Sequence, residues 1–123
     1  MKRIMVVDDE PDQTFTLKCS LKNMSGDFEV ITANSGMDCL NKLKEDIIPD
    51  LIILDIMMPE MNGWEVYDKV KSDPKLKEIP IIFLTARTDD IAKNAGKFLG
   101  EDYIKKPYDI KEVLKKISKI LNN

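Results

Sequence analysis

LIILDIMMPEMNG, residues 51–63, runs from four consecutive apolar side chains into an acid, Asp55, and then into a loop punctuated by Pro59 and Gly63. A short apolar run bounded by turn signals reads as a buried strand. An acid directly after such a strand costs free energy unless it is solvated or coordinated, so Asp55 is expected at an exposed strand end ahead of a helix. The same pattern recurs outward in both directions. Apolar runs over 3–7, 29–33, 51–54, 81–84 and 103–105 read as strands, and helical spacing fills 14–24, 37–45, 63–71, 91–99 and Ile110–Leu121. In the last segment Ile110, Val113, Leu114, Ile117, Ile120 and Leu121 form one stripe, while Lys111, Lys115, Lys116 and Lys119 lie off it and read as a solvated face. Five alternating βα units predict an α/β domain: a parallel sheet with right-handed crossovers and helices on both faces.

In such a sheet the carboxyl ends of all strands lie along one edge, where these folds place their ligand sites. Asp8 and Asp9 follow the first strand, Asp55 the third, and Lys106 follows Tyr103 and Ile104 just before Pro107. These four side chains are therefore expected in one pocket. Two like charges about 4 Å apart repel by about 4 kcal/mol at an effective dielectric of 20, and a third carboxylate adds to this. The cluster predicts a cation. Hard oxygen ligands, with no histidine or thiolate cluster nearby, favour Mg²⁺ or a similar divalent ion such as Mn²⁺ over Zn²⁺.

A length of 123 residues suits one domain spanning the chain, with a core that needs no staples. Hydrophobic residues at 43% and charged ones at 33% argue against disorder. No apolar run approaches the roughly 20 residues that span a bilayer, and no signal-peptide pattern opens the chain, so the expected location is the cytoplasm, away from membranes. A net charge of −3 disfavours direct nucleic-acid binding. Histidine is absent, which removes Ser/His and Cys/His nucleophiles and histidine-ligated zinc. Cys19 and Cys39 match no metal or redox spacing and read as buried thiols.

Four segments in order resemble the receiver domain of two-component response regulators, the chemotaxis-receiver-like family. They are Val6-Val7-Asp8-Asp9-Glu10-Pro11, Leu54-Asp55-Ile56-Met57-Met58-Pro59-Glu60-Met61-Asn62-Gly63, Leu84-Thr85-Ala86 and Tyr103-Ile104-Lys105-Lys106-Pro107. The resemblance covers nearly the whole chain. It implies a flavodoxin-like doubly wound sheet of order 2-1-3-4-5 with five helices. It also implies that Asp55 accepts a phosphoryl group from the phosphohistidine of a histidine kinase or phosphotransfer protein. On the same basis Asp8 and Asp9 hold Mg²⁺, with Asp55 and the backbone carbonyl of Met57 completing the protein ligands. Lys106 and the hydroxyl of Thr85 engage the phosphate. Thr85 and Tyr103 form the switch, which alters the face made by the fourth helix, fifth strand and fifth helix. The family uses the lysine immediately before the proline, leaving Lys105 at the surface, and the Lys106-Pro107 bond is a candidate for the cis form, which would help aim the ammonium inward.

The resemblance implies a phosphorelay signalling protein that catalyses its own phosphorylation and dephosphorylation without being a conventional turnover enzyme. Its implied partners are the kinase, a downstream output protein or attached output domain, and a second copy in a homodimer formed on phosphorylation. Termination soon after the last helix leans toward a single-domain regulator, with an excised amino-terminal piece as the alternative. Other readings are a pseudo-receiver or interaction module that is never phosphorylated, and an aspartyl-phosphate phosphatase of the haloacid-dehalogenase type. The latter would need a second acid where Met57 stands. A flavin-binding protein is disfavoured because Asp8, Asp9 and Glu10 would repel a flavin phosphate. Departures from the family pattern lie in Leu99-Gly100-Glu101-Asp102 and at Gly96, which predicts a short or mobile fourth helix. Met57 and Arg87 stand where the family tunes phosphoryl lifetime. Trp64 reads as a ring lying along a helix surface, with a partner contact as the alternative.

Overall fold

The computed structural model describes residues 1–25, 28–86 and 102–121. Five strands, β1 (Lys2–Val7), β2 (Phe28–Ala33), β3 (Leu51–Asp55), β4 (Ile81–Thr85) and β5 (Asp102–Lys105), form one parallel sheet in the order β2-β1-β3-β4-β5. Helices α1 (Pro11–Ser25), α2 (Gly36–Lys44) and α3 (Gly63–Ser72) alternate with the first strands, and a C-terminal helix (Ile110–Leu121) closes the fold. This is the flavodoxin-like order expected. Four helices are seen among the described residues; the one expected over 91–99, with Gly96, and the Arg87 position lie outside them, as does most of the turn 99–102.

Strand alternation divides the interior into two apolar layers. Met5 and Val7 of β1 and Ile52 and Leu54 of β3 face α2 and α3, where they pack with Cys39, Leu43, Val66, Val70 and Phe83. Ile4, Val6, Leu51 and Ile53 point the other way, toward Leu17 and Leu21 of α1 and Val113 and Ile117 of the C-terminal helix. A central parallel strand buried on both faces must be apolar at every position, which is why β3 reads as an unbroken run.

Three expectations are corrected. Trp64 is buried, not laid along a surface: its ring centroid is 4.7 Å from that of Phe83 and 6.3 Å from that of Tyr67, the latter edge-on. Lys116 does not belong wholly to a solvated face, because its Nζ donates to both carboxylate oxygens of Asp102 at 3.0 and 3.1 Å and ties the C-terminal helix to the start of β5. Cys39 is buried, with its Sγ 3.7 Å from Met5 Sδ, and burial pushes its thiol up to about 12. Cys19 is only half-buried.

The start of α3 is fixed by a capping box. Asn62 Oδ1 accepts the Glu65 N–H at 3.0 Å, and Glu65 Oε1 accepts the Asn62 N–H at 3.3 Å. Gly63 then passes so close to the strand end that a Cβ would sit 2.6 Å from the Asp55 carbonyl oxygen and 2.7 Å from Ile56 Cα. The helix is thereby seated against the backbone that carries Asp55.

Candidate functional site

β1 and β3 are neighbours at the point where the strand order reverses, the crevice in which doubly wound sheets bind ligands. The Asp8 N–H donates to the Ala33 carbonyl at 3.1 Å, so β-type pairing continues past Val7 and carries Asp8 to the rim. Asp8 is 2% exposed. Asp8 Oδ1 accepts the Glu10 N–H at 3.0 Å, and Oδ2 accepts from Lys106 Nζ at 3.0 Å. Asp55 ends β3 as expected but is buried, 5% exposed, and not at an exposed strand end, because its carboxylate is held by the Met57 N–H and the Lys106 ammonium. Its Oδ1 accepts the Met57 N–H at 3.1 Å, and its Oδ2 lies 3.5 Å from Lys106 Nζ. Asp9 is half-buried, and one oxygen from each of Asp8, Asp9 and Asp55 lies within 4.8 Å of the others.

Lys106, not Lys105, enters the pocket. Lys105 ends β5 and is exposed, whereas the Lys106 N–H donates to the Thr85 carbonyl at 2.7 Å and its ammonium turns toward the two buried carboxylates. The Lys106-Pro107 bond is cis. Thr85 is fully buried at the end of β4, beside Ala86, which lines the pocket. Tyr103 is 39% exposed on β5, outside the core.

Burial raises the Asp55 carboxyl to about 6, with Asp8 pushing the same way and Lys106 and the Met57 N–H opposing. For Lys106, burial works against the charged form, but the hydrogen bond to Asp8 and the charges of Asp55 and Asp8 outweigh it and raise its pKa. Burial also raises the Tyr108 phenol, against the influence of Lys106. An all-oxygen set of three carboxylates, two of them buried and sharing one ammonium, is the chemistry that accepts a hard divalent cation.

The open space at this point is a cavity of about 330 Å³ lined by Asp9, Glu10, Gln13, Asp55, Met57 and Lys106, with Ala86. Gln13 was not anticipated from the sequence, Glu10 only as an acid that would repel a flavin phosphate, and Ala86 only as part of the Leu84-Thr85-Ala86 motif. Glu10 and Gln13 had a signal: Pro11 is the first residue of α1, so both flank the first turn of a helix that starts at the pocket's rim. Tyr108, just past Pro107, adjoins Lys106 in a larger groove of about 730 Å³ that shares Gln13, Ala86 and Lys106 with the pocket.

A flavodoxin-like sheet with an acid cluster and a lysine at its switch point defines a domain of the receiver class. The family model of the response regulator receiver domain matches residues 4–118, and the chain belongs to that family. It is 37% identical over 122 residues to the transcriptional regulatory protein CpxR homolog of Haemophilus influenzae, covering 98% of this chain and 51% of that protein. It is 38% identical over 121 residues to the alkaline phosphatase synthesis transcriptional regulatory protein PhoP of Bacillus subtilis, covering 98% and 48%. The chain thus spans about half the length of these two relatives. Among solved structures it resembles the response regulator TrrA of Thermotoga maritima in complex with Mg²⁺-BeF, with a TM-score of 0.84, 35% identity and coverage of 98% and 99%. The protein is a receiver domain homologous to response regulators of two-component signalling. Among the described residues, no helix is long and apolar enough to cross a membrane.

Proposed function

We propose that Asp55 is the phosphoacceptor of this receiver and that the donor is the phosphohistidine of a histidine kinase or phosphotransfer protein. One observation carries the reading: the Asp55 carboxylate ends a buried strand inside a cavity of about 330 Å³, with Oδ2 3.5 Å from the Lys106 ammonium. An Asp55 oxygen attacks phosphorus, the P–N bond breaks, and the ring, already protonated on its other nitrogen, leaves as neutral imidazole with that electron pair, giving an aspartyl phosphate. A carboxyl group raised to about 6 is mostly ionised at neutral pH and ready to attack. Lys106 neutralises charge on the transferring oxygens, and the Thr85 hydroxyl donates to one of them.

Asp8, Asp9, Asp55 and the Met57 backbone carbonyl would hold Mg²⁺ or Mn²⁺. The bound ion would offset negative charge on the transferring phosphoryl group.

The phosphate brings about −1.5 to −2 charges and three acceptor oxygens. Attraction of Thr85 and Lys106 toward them is the switch, read out through Tyr103 and the face that β5 shares with the C-terminal helix. Shifting a population from 1:99 to 99:1 requires about 5.5 kcal/mol, and a few charge-assisted hydrogen bonds at ~1.5–3 kcal/mol each supply that order of stabilisation. The domain acts in the cytoplasm as a switch that turns over its own phosphate, not as a conventional enzyme. Its output runs through a separate protein, an attached domain or a phosphorylation-dependent homodimer.

Transfer of radiolabelled phosphate from a phosphorylated histidine-kinase core, with Mg²⁺, tests this. The label is expected on the native chain, lost on Asp55→Asn and slowed at least tenfold on Lys106→Ala. Persistent absence of label from a panel of kinases that charge other receivers would favour a pseudo-receiver.

A further inference from the structure

The pocket holds one more carboxylate than its chemistry uses. Asp8, Asp9 and Asp55 form the cluster whose oxygens converge within 4.8 Å. Glu10 stands outside that cluster, exposed, yet lines the same cavity. Its backbone is fully committed: the N–H donates to Asp8 Oδ1 at 3.0 Å, and the carbonyl accepts the Gln13 and Thr14 N–H groups at 3.0 and 3.3 Å as α1 begins. The backbone thus holds residue 10 at the rim of the cavity that it lines. Once Lys106 and a bound divalent ion offset Asp8, Asp9 and Asp55, Glu10 would add an unbalanced negative charge at the mouth of the pocket.

We infer that Glu10 is a specificity-determining residue that disfavours small dianionic phosphoryl donors relative to donors of lower charge. This rests on Asp55 being the phosphoacceptor. A cavity of about 330 Å³ is no wider than a Debye length, ~10 Å at 0.1 M salt, so a charge on its wall acts on an incoming donor with little screening. Acetyl phosphate arrives near neutral pH as a dianion. Its transfer breaks the bond between phosphorus and the acetyl oxygen, acetate leaves with the electron pair, and Asp55 gains the phosphoryl group. Phosphoramidate arrives with about half that charge and, like a phosphoimidazole, loses a protonated nitrogen. Glu10 repels the first donor more than the second, at the encounter and not in the bond-breaking step.

The test compares phosphorylation rate constants of the native chain, Glu10→Gln and Glu10→Lys with acetyl phosphate and with phosphoramidate. Mg²⁺ is set at a level that calorimetric titration shows to saturate each variant. Glu10→Gln is expected to raise the acetyl phosphate rate about two- to fivefold at low ionic strength, the size of a one-charge difference acting through mostly aqueous dielectric. The phosphoramidate rate should change by less than half as much, Glu10→Lys should exceed Glu10→Gln, and the differences should shrink at ~0.5 M salt. Equal changes with both donors, no change, or a gain insensitive to salt would overturn the inference while leaving Asp55 as the acceptor. Failure of both donors to label Asp55 in any variant would overturn the phosphoacceptor reading and the inference together.

Discussion

At the level of single residues, the site is decided by how a carboxylate is held at the end of a buried strand. Asp55 is raised to about 6, chiefly by burial, so the folded chain binds its proton more tightly than the unfolded chain does. Below about 3.8 both states are protonated and Asp55 costs nothing. As pH rises through about 6 the native carboxyl must ionise in its pocket, and stability is lost. In EDTA, Asp55→Asn should therefore be more stable than the native chain at pH 8, by roughly 1–2 kcal/mol after allowing for solvent reaching the cavity. The gain should fade between pH 6 and 4 in urea titrations; a constant difference across that range would argue against the burial account. Asp8, Asp9, Asp55 and Lys106 were legible in the sequence because each follows an apolar strand. Glu10 and Gln13 were less so, since their approach depends on α1 starting at Pro11 and not at the residue 14 that apolar spacing suggests. The Asp102–Lys116 pair was hidden for a different reason: local periodicity carries no information about a contact between a strand and a helix turn well beyond it.

Elements are placed by close backbone approach as much as by apolar stripes. Gly63 lets α3 lie against the carbonyl of Asp55, and a Cβ there would meet backbone atoms at 2.6 and 2.7 Å. Gly63→Ala should cost about 1–3 kcal/mol, the range for overpacking, despite the better helix propensity of alanine, and should slow labelling of Asp55 by displacing the strand end. Gly36→Ala provides the contrast. Its Cβ would meet flexible Met61 side-chain atoms and Val66 Cγ2, all at 2.9 Å, and its cost in the same denaturation series should be smaller. The strands were largely legible because buried parallel strands are apolar throughout, and their ends differ from expectation by a single residue at either side. Trp64 was misread although Val66, Tyr67 and Val70 share its helix. One aromatic after a glycine looks like a surface ring until the packing against Phe83 of β4 is known.

For the whole molecule, the switch requires that charge placed on β3 be felt on β5. Thr85 is the proposed link: it is buried at the end of β4, and its carbonyl accepts the Lys106 N–H at 2.7 Å. Thr85→Ala should be phosphorylated to a similar extent but should lose at least half of the phosphorylation-dependent change in amide hydrogen exchange across 102–105. An undiminished change would remove Thr85 from the coupling. Alternation implied a parallel sheet and the family resemblance its order, whereas the face expected to switch includes residues outside the described ones and meets partners that a fold does not specify. The central claim is the identity of the acceptor. Its most direct test is borohydride trapping of the chain after treatment with phosphoramidate and Mg²⁺, followed by peptide mass spectrometry. The account predicts one reduced aspartate, at Asp55, dependent on Mg²⁺. A trapped site at Asp8 or Asp9, or no trapped site under conditions that label a control receiver, would contradict it.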